Sequence, residues 1–110
     1  MNDKLLIITK IKKTIICLDK IVINFPNKER VLKDKLVESL YDLLYLSYKA
    51  NITGNKYYKQ ELLIKIRLID FYLSVSLDKN YISYKKYTQI VNHLIELIKI
   101  IHGWINEKRG

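Results

Sequence analysis

Residues 81–105 read YISYKKYTQIVNHLIELIKIIHGWI. Laid on a helix at roughly 100° per residue, the apolar side chains gather on one side. Tyr87, Ile90, Val91, Leu94, Ile95, Leu97, Ile98, Ile101, Trp104 and Ile105 share one arc. Lys85, Lys86, Gln89, Asn92, His93, Glu96, Lys99, Asn106 and Glu107 fill the opposite side. Ser83 stands where an N-cap belongs, because its hydroxyl can accept an orphan amide of the first turn. From Ser83 to Glu107 such a helix measures about 37 Å at 1.5 Å per residue. Gly103 falls on the polar side and costs a helix interior about 1 kcal/mol against alanine. It either frays the end or admits a close approach by another backbone. One long amphipathic helix of this kind needs partners to cover its apolar arc.

Working outward, the preceding residues supply them. Residues 56–77 read as a third helix, with Leu62, Ile66, Ile69 and Leu73 as its core stripe. Leu63, Leu68, Phe71 and Val75 lie off that stripe, and a helix apolar on two sides must bury two sides. A subunit interface is therefore expected there. Arg67 and Asp70, three residues apart in this apolar region, are expected to serve an inter-helix ion pair that fixes register rather than a functional site. Asn51-Ile52-Thr53-Gly54-Asn55 is the clearest loop, polar and with the only mid-chain glycine.

Before it, residues 28–50 read as a second helix with core residues Leu32, Leu36, Leu40, Leu43 and Leu44. Tyr41, Tyr45 and Tyr48 widen that stripe, read as an amphipathic margin with hydroxyls reaching water rather than as a base-stacking platform. Phe25-Pro26-Asn27 breaks the chain ahead of it. Residues 3–24 form the first helix, with Ile8, Ile11, Ile15, Leu18, Val22 and Phe25 spaced 3-4-3-4-3 as in a bundle seam. With 3 Gly and 1 Pro in 110 residues, few long helices are expected. The fold class is all-α: a single-domain, elongated up-down-up-down four-helix bundle, residues 1–110.

Charge narrows the function. Lys+Arg is 20 against 11 Asp+Glu, giving +9 at neutral pH, which points to a polyanionic partner such as nucleic acid. All but three of the basic residues (Arg30, Arg67 and Arg109) are lysines, which bind phosphate as point charges rather than reading base edges. Candidate nucleic-acid contacts are Arg30, Lys59, Lys65, Lys85, Lys86, Lys108 and Arg109. Lys85 and Lys86 are the sharpest pair, since a bundle needs no paired cations in the first turn of its last helix.

Catalysis finds no support in the residues. His93 and His102 are nine apart and do not share a face as metal ligands would. There is no Glu-x-x-His pair, no phosphate-binding glycine loop and no His beside a Ser or Cys nucleophile. The chain is expected to be no enzyme and to need no cofactor or metal. Cys17 reads as a packing residue, and a lone cysteine excludes an internal disulfide. The short apolar run Leu5–Ile8 is neither signal peptide nor membrane span, so a cytoplasmic location without membrane contact is expected.

Several short motifs carry a family resemblance. Phe25-Pro26-Asn27-Lys28-Glu29-Arg30 is similar to the FP-x-x-x-R opening of helix 2 in the accessory variability determinant proteins of diversity-generating retroelements. Ile66-Arg67 resembles that family's Leu-Arg in helix 3. Ile82-Ser83-Tyr84-Lys85-Lys86-Tyr87 resembles its I-S-x-x-Q-Y motif at the start of helix 4, and residues 94–105, LIELIKIIHGWI, resemble its I-x-E-I-G-(x)-x-L-G-G-W-I ending. His102 stands where the first glycine of Gly-Gly-Trp would be, and Lys86 where glutamine is usual. The resemblance implies a basic, barrel-shaped homopentamer without catalytic activity, which binds the element's reverse transcriptase and its template RNA, with cDNA as a further nucleic-acid partner. It implies a role in mutagenic reverse transcription. The alternative is the related four-helix protein encoded in 23S ribosomal RNA intervening sequences, RNA- or ribosome-associated. Trp104 is expected to be structural, beside Gly103 at the end of the last helix.

Overall fold

A computed structural model describes residues 3–106, with side-chain environments from residue 6 onward. Four helices are present: α1 (Asp3–Val22), α2 (Arg30–Thr53), α3 (Lys56–Asp78) and α4 (Tyr84–Ile105). No strand occurs among the described residues. The helices pack in a closed ring, α1 on α2, α2 on α3, α3 on α4 and α4 on α1. Short connections make each neighbouring pair antiparallel, so this is an all-α, up-down-up-down four-helix bundle. Its extents of 50 × 23 × 19 Å make it elongated, as helices of this length require.

The caps explain where the helices begin and end. Pro26, at φ −62°, opens a short 3-10 turn over Asn27–Glu29, and α2 starts only at Arg30, two residues later than the pattern predicts. The expected five-residue loop at 51–55 is not there. Instead α2 runs on to Thr53, Gly54 turns left-handed at φ +66° and donates to the Ala50 carbonyl, and Asn55 Oδ1 accepts from Tyr57 N–H at 2.9 Å. A glycine C-cap and an asparagine N-cap back to back need no further residues. Ser83 Oγ accepts the Lys86 amide at 3.2 Å and so is the N-cap of α4.

The core is a column of Ile and Leu closed by Trp104, which is 1% exposed. In α4 the buried residues are Ile90, Leu94, Leu97, Ile101 and Trp104, a narrower set than the apolar arc, and Ile95 is 44% exposed. In α1 the expected seam residues Ile11, Ile15, Leu18, Val22 and Phe25 are buried; only at the first position does Ile7 replace Ile8, which is half-buried, and Thr14 and Ile21 join the buried set. In α2, Ser39, Ser47 and Ala50 join Leu36, Leu40 and Leu43 inside, while Leu32 and Leu44 are half-buried. Thr14, Ser47 and Ser76 are buried because each hydroxyl donates to the carbonyl four residues back, at 2.8 Å. That bond satisfies the polar group within its own helix, so no partner is needed from the core.

Candidate nucleic-acid interface

The antiparallel topology puts the α1–α2 and α3–α4 connections at one end of the bundle and the α2–α3 turn at the other. Arg30, Lys85 and Lys86 therefore lie at the first end, and Lys59 at the second. Lys65 is on the flank, 3.2 Å from Asp42 Oδ2, which offsets its charge. Lys108 and Arg109 lie outside the described residues. The five described candidate cations do not form one patch. Lys59 has a structural engagement: its Nζ is 4.6 Å from the Trp104 ring centroid and 3.3 Å from the Trp104 carbonyl oxygen.

Lys86 belongs instead to a groove between α1 and α4. Lys13, Lys20 and Lys86 line it, with Gln89, Cys17, Ile16 and Ile21, around a volume of about 440 Å³. The ion pairs among the described residues engage Lys10 with Glu96, Lys65 with Asp42, and Lys79 with Glu29. No carboxylate lines this groove, and the nearest acidic charge is Glu96 in the adjoining hollow, which feels Lys13 as well as its partner Lys10. The three lysines leave the groove wall positive and suited to an anion. Lys13 and Lys20 were legible as a pair seven apart on α1, with Cys17 between them on the same face. The sequence pattern places them only off the seam, because the facing Lys86 comes from another helix.

The groove continues along the same two helices into a hollow lined by Cys17, Gln89, Asn92, His93 and Glu96. His93 Nδ1 is covered there without a hydrogen-bond partner. Burial pushes the Cys17 thiol up, with the nearby Lys20 ammonium opposing it, so the thiol stays protonated at neutral pH and is a poor nucleophile. Among the described residues, no cluster of three or more His, Cys, Asp or Glu is placed to hold a metal ion. No helix among them is long and apolar enough to cross a membrane.

A second unpartnered surface lies on α3. Leu68 and Phe71 are 39% and 60% exposed, and Ile64, at 62%, shares their face. Leu63 packs on the core instead, and Val75 is half-buried, so the outer stripe is Ile64, Leu68, Phe71 and Val75. Towards α4 it meets an apolar hollow of about 110 Å³ lined by Arg67, Asp70, Val91, Ile95 and Ile98 among others. Neither Arg67 nor Asp70 enters an ion pair among the described residues, with each other or across helices, contrary to expectation. Gly103 is exposed.

On α2, Tyr41, Tyr45 and Tyr48 are 52%, 59% and 45% exposed and do not widen the core stripe; their face points outward. Lys49 Nζ sits 5.0 Å from the Tyr45 and Tyr58 rings.

No family model matches the chain, and no curated protein matches it either.

Proposed function

We propose that this bundle is a non-catalytic accessory subunit of a diversity-generating retroelement, which binds the element's reverse transcriptase together with template RNA and cDNA and supports mutagenic reverse transcription. The observation that carries the reading is the lysine groove between α1 and α4, with no carboxylate on its walls, on a chain of net charge +9. The motif resemblance supplies the enzyme partner, and the four-helix bundle fits it. Nucleic-acid binding by lysines is largely sequence-independent and salt-sensitive, because affinity comes from counterion release at phosphates. Selectivity for the template then comes from RNA shape and from the reverse transcriptase.

The outer stripe of α3 supports self-assembly. Exposed Ile64, Leu68 and Phe71, with unpaired Arg67 and Asp70 beside them, suit burial against another copy, where each charge meets its opposite. The number five comes from the resemblance alone. The test is a search of the gene's neighbourhood for a reverse transcriptase with paired template and variable repeats, followed by co-expression of the two proteins. A stable complex that retains RNA through purification is expected; a reverse transcriptase that elutes without the bundle overturns the reading.

A further inference from the structure

The groove between α1 and α4 is specific in shape as well as in charge. Lys13 and Lys20 are two turns apart on α1, about 10 Å along the axis, and Lys86 faces them from the first turn of α4. Ile16, 58% exposed, adds apolar surface beside the ammonium groups, while Ile21 belongs to the core at 3% exposed and only floors the groove. The groove is open along one side, and its volume of about 440 Å³ is of the size that holds a small ligand or a few nucleotides. An apolar patch between spaced cations suits a flexible strand whose bases are unpaired: phosphates meet lysines while a base face leaves water against isoleucine. Duplex nucleic acid offers no free base face to that patch.

Resting on the nucleic-acid reading above, we infer that the α1/α4 groove is the seat of a single-stranded segment of RNA or cDNA, with Lys13, Lys20 and Lys86 on its phosphates and Ile16 beneath a base. Arg30 and Lys85, at the same end of the bundle but outside the groove, then serve the general positive field rather than this seat.

The only cysteine of the chain makes the groove directly observable, because Cys17 lines it. The probe is a mixed-sequence 15-nucleotide single-stranded RNA, with the matching duplex and polyglutamate as comparators, on the full-length protein. Binding is followed by fluorescence anisotropy, and the rate of Cys17 alkylation by a maleimide is followed by mass spectrometry. Saturating single strand is expected to slow alkylation at least about fivefold, whereas the duplex and polyglutamate slow it little. Replacing Lys13, Lys20 and Lys86 by alanine together should reduce the slope of log affinity against log salt by about 2 units. The equal-charge control Lys35→Ala, Lys56→Ala, Lys99→Ala should leave more of the slope intact. Single strand that binds without slowing Cys17 alkylation overturns the groove as the site and leaves nucleic-acid binding standing. Protection by polyglutamate equal to that by RNA points to an acidic protein segment as the occupant and overturns the inference. A wild-type protein that binds no RNA at about 50 mM salt overturns both readings.

Discussion

Lys59, in the first turn of α3, lies with its ammonium 4.6 Å from the Trp104 ring centroid and 3.3 Å from the Trp104 carbonyl oxygen. One cation thus covers the last buried aromatic ring of α4 and one of that helix's terminal carbonyls. Trp104 closes the core column where α1 begins and α4 ends, which makes it a structural residue first. Trp104→Ala should cost about 3–5 kcal/mol and lower the melting temperature by more than about 10 °C. Lys59→Ala should cost about 1 kcal/mol or less, since the site is partly open to water. Thermal melts followed by circular dichroism check both. Unchanged stability of Trp104→Ala, with only RNA binding lost, would make Trp104 a stacking residue.

Gly54 sets the α2–α3 turn. Its φ of +66° costs an L-residue about 1 kcal/mol, and a Cβ there meets nothing within 4 Å. Gly54→Ala should therefore destabilise by about 1 kcal/mol through backbone strain alone, and Gly54→Asn by clearly less. Chemical denaturation of the pair checks this. Equal stabilities for the two variants would contradict it.

How much of this was legible in the sequence follows from what each signal measures. Helix number, α3's core stripe and the Ser83 cap are local patterns, and they recur in the structure. The buried Thr14, Ser47 and Ser76 were not legible, because hydroxyls read as surface and their bonds to carbonyls one turn back leave no trace in polarity. The α1 seam is buried as its spacing predicts from Ile11 to Phe25, but its first position is Ile7 rather than Ile8, because both are isoleucine and only the facing helices choose between them. The groove escaped for the same reason: Lys13 and Lys20 acquire meaning only when α4 brings Lys86 opposite. Arg67 and Asp70 had the spacing of an ion pair but lack the contact.

The pH dependence has two limbs. A hydrogen bond from Tyr81 Oη at 2.7 Å, with Lys79 beside it, holds the Glu29 carboxyl below the usual carboxylate range. The hydrogen bond and charge of Lys10 do the same for Glu96. Both groups contribute stability above the ordinary carboxylate range and lose it as pH falls through their lowered values. The same Glu29 contact raises Tyr81, and the Tyr45 contact raises Lys49; these contributions are present below the usual Tyr and Lys ranges and are lost as pH climbs through the raised values. Melting temperature should be flat between about pH 5 and 9 and fall on both sides. Tyr81→Phe should move the acid limb to higher pH. An acid limb that does not move would show that Glu29 gains nothing from Tyr81.

Phe71 tests the outer stripe of α3. Being 60% exposed, it contributes little to the isolated bundle. Phe71→Asp should leave the helical signal and the melt of the single bundle intact while abolishing assembly. Multi-angle light scattering at micromolar concentration reads the mass directly. A wild-type protein found only at its monomer mass of 13.2 kDa would remove the assembly proposal.

The most direct measurement of the account is cDNA yield. A reverse transcriptase of a diversity-generating retroelement, taken from the gene's own neighbourhood where one is encoded there, is incubated with its template RNA alone, with wild-type protein, and with the Lys13→Ala, Lys20→Ala, Lys86→Ala variant. The account predicts cDNA only, or at least about tenfold more, with wild-type protein, and a yield near the enzyme-alone level with the variant. Equal cDNA yield and error rate in all three reactions would contradict it.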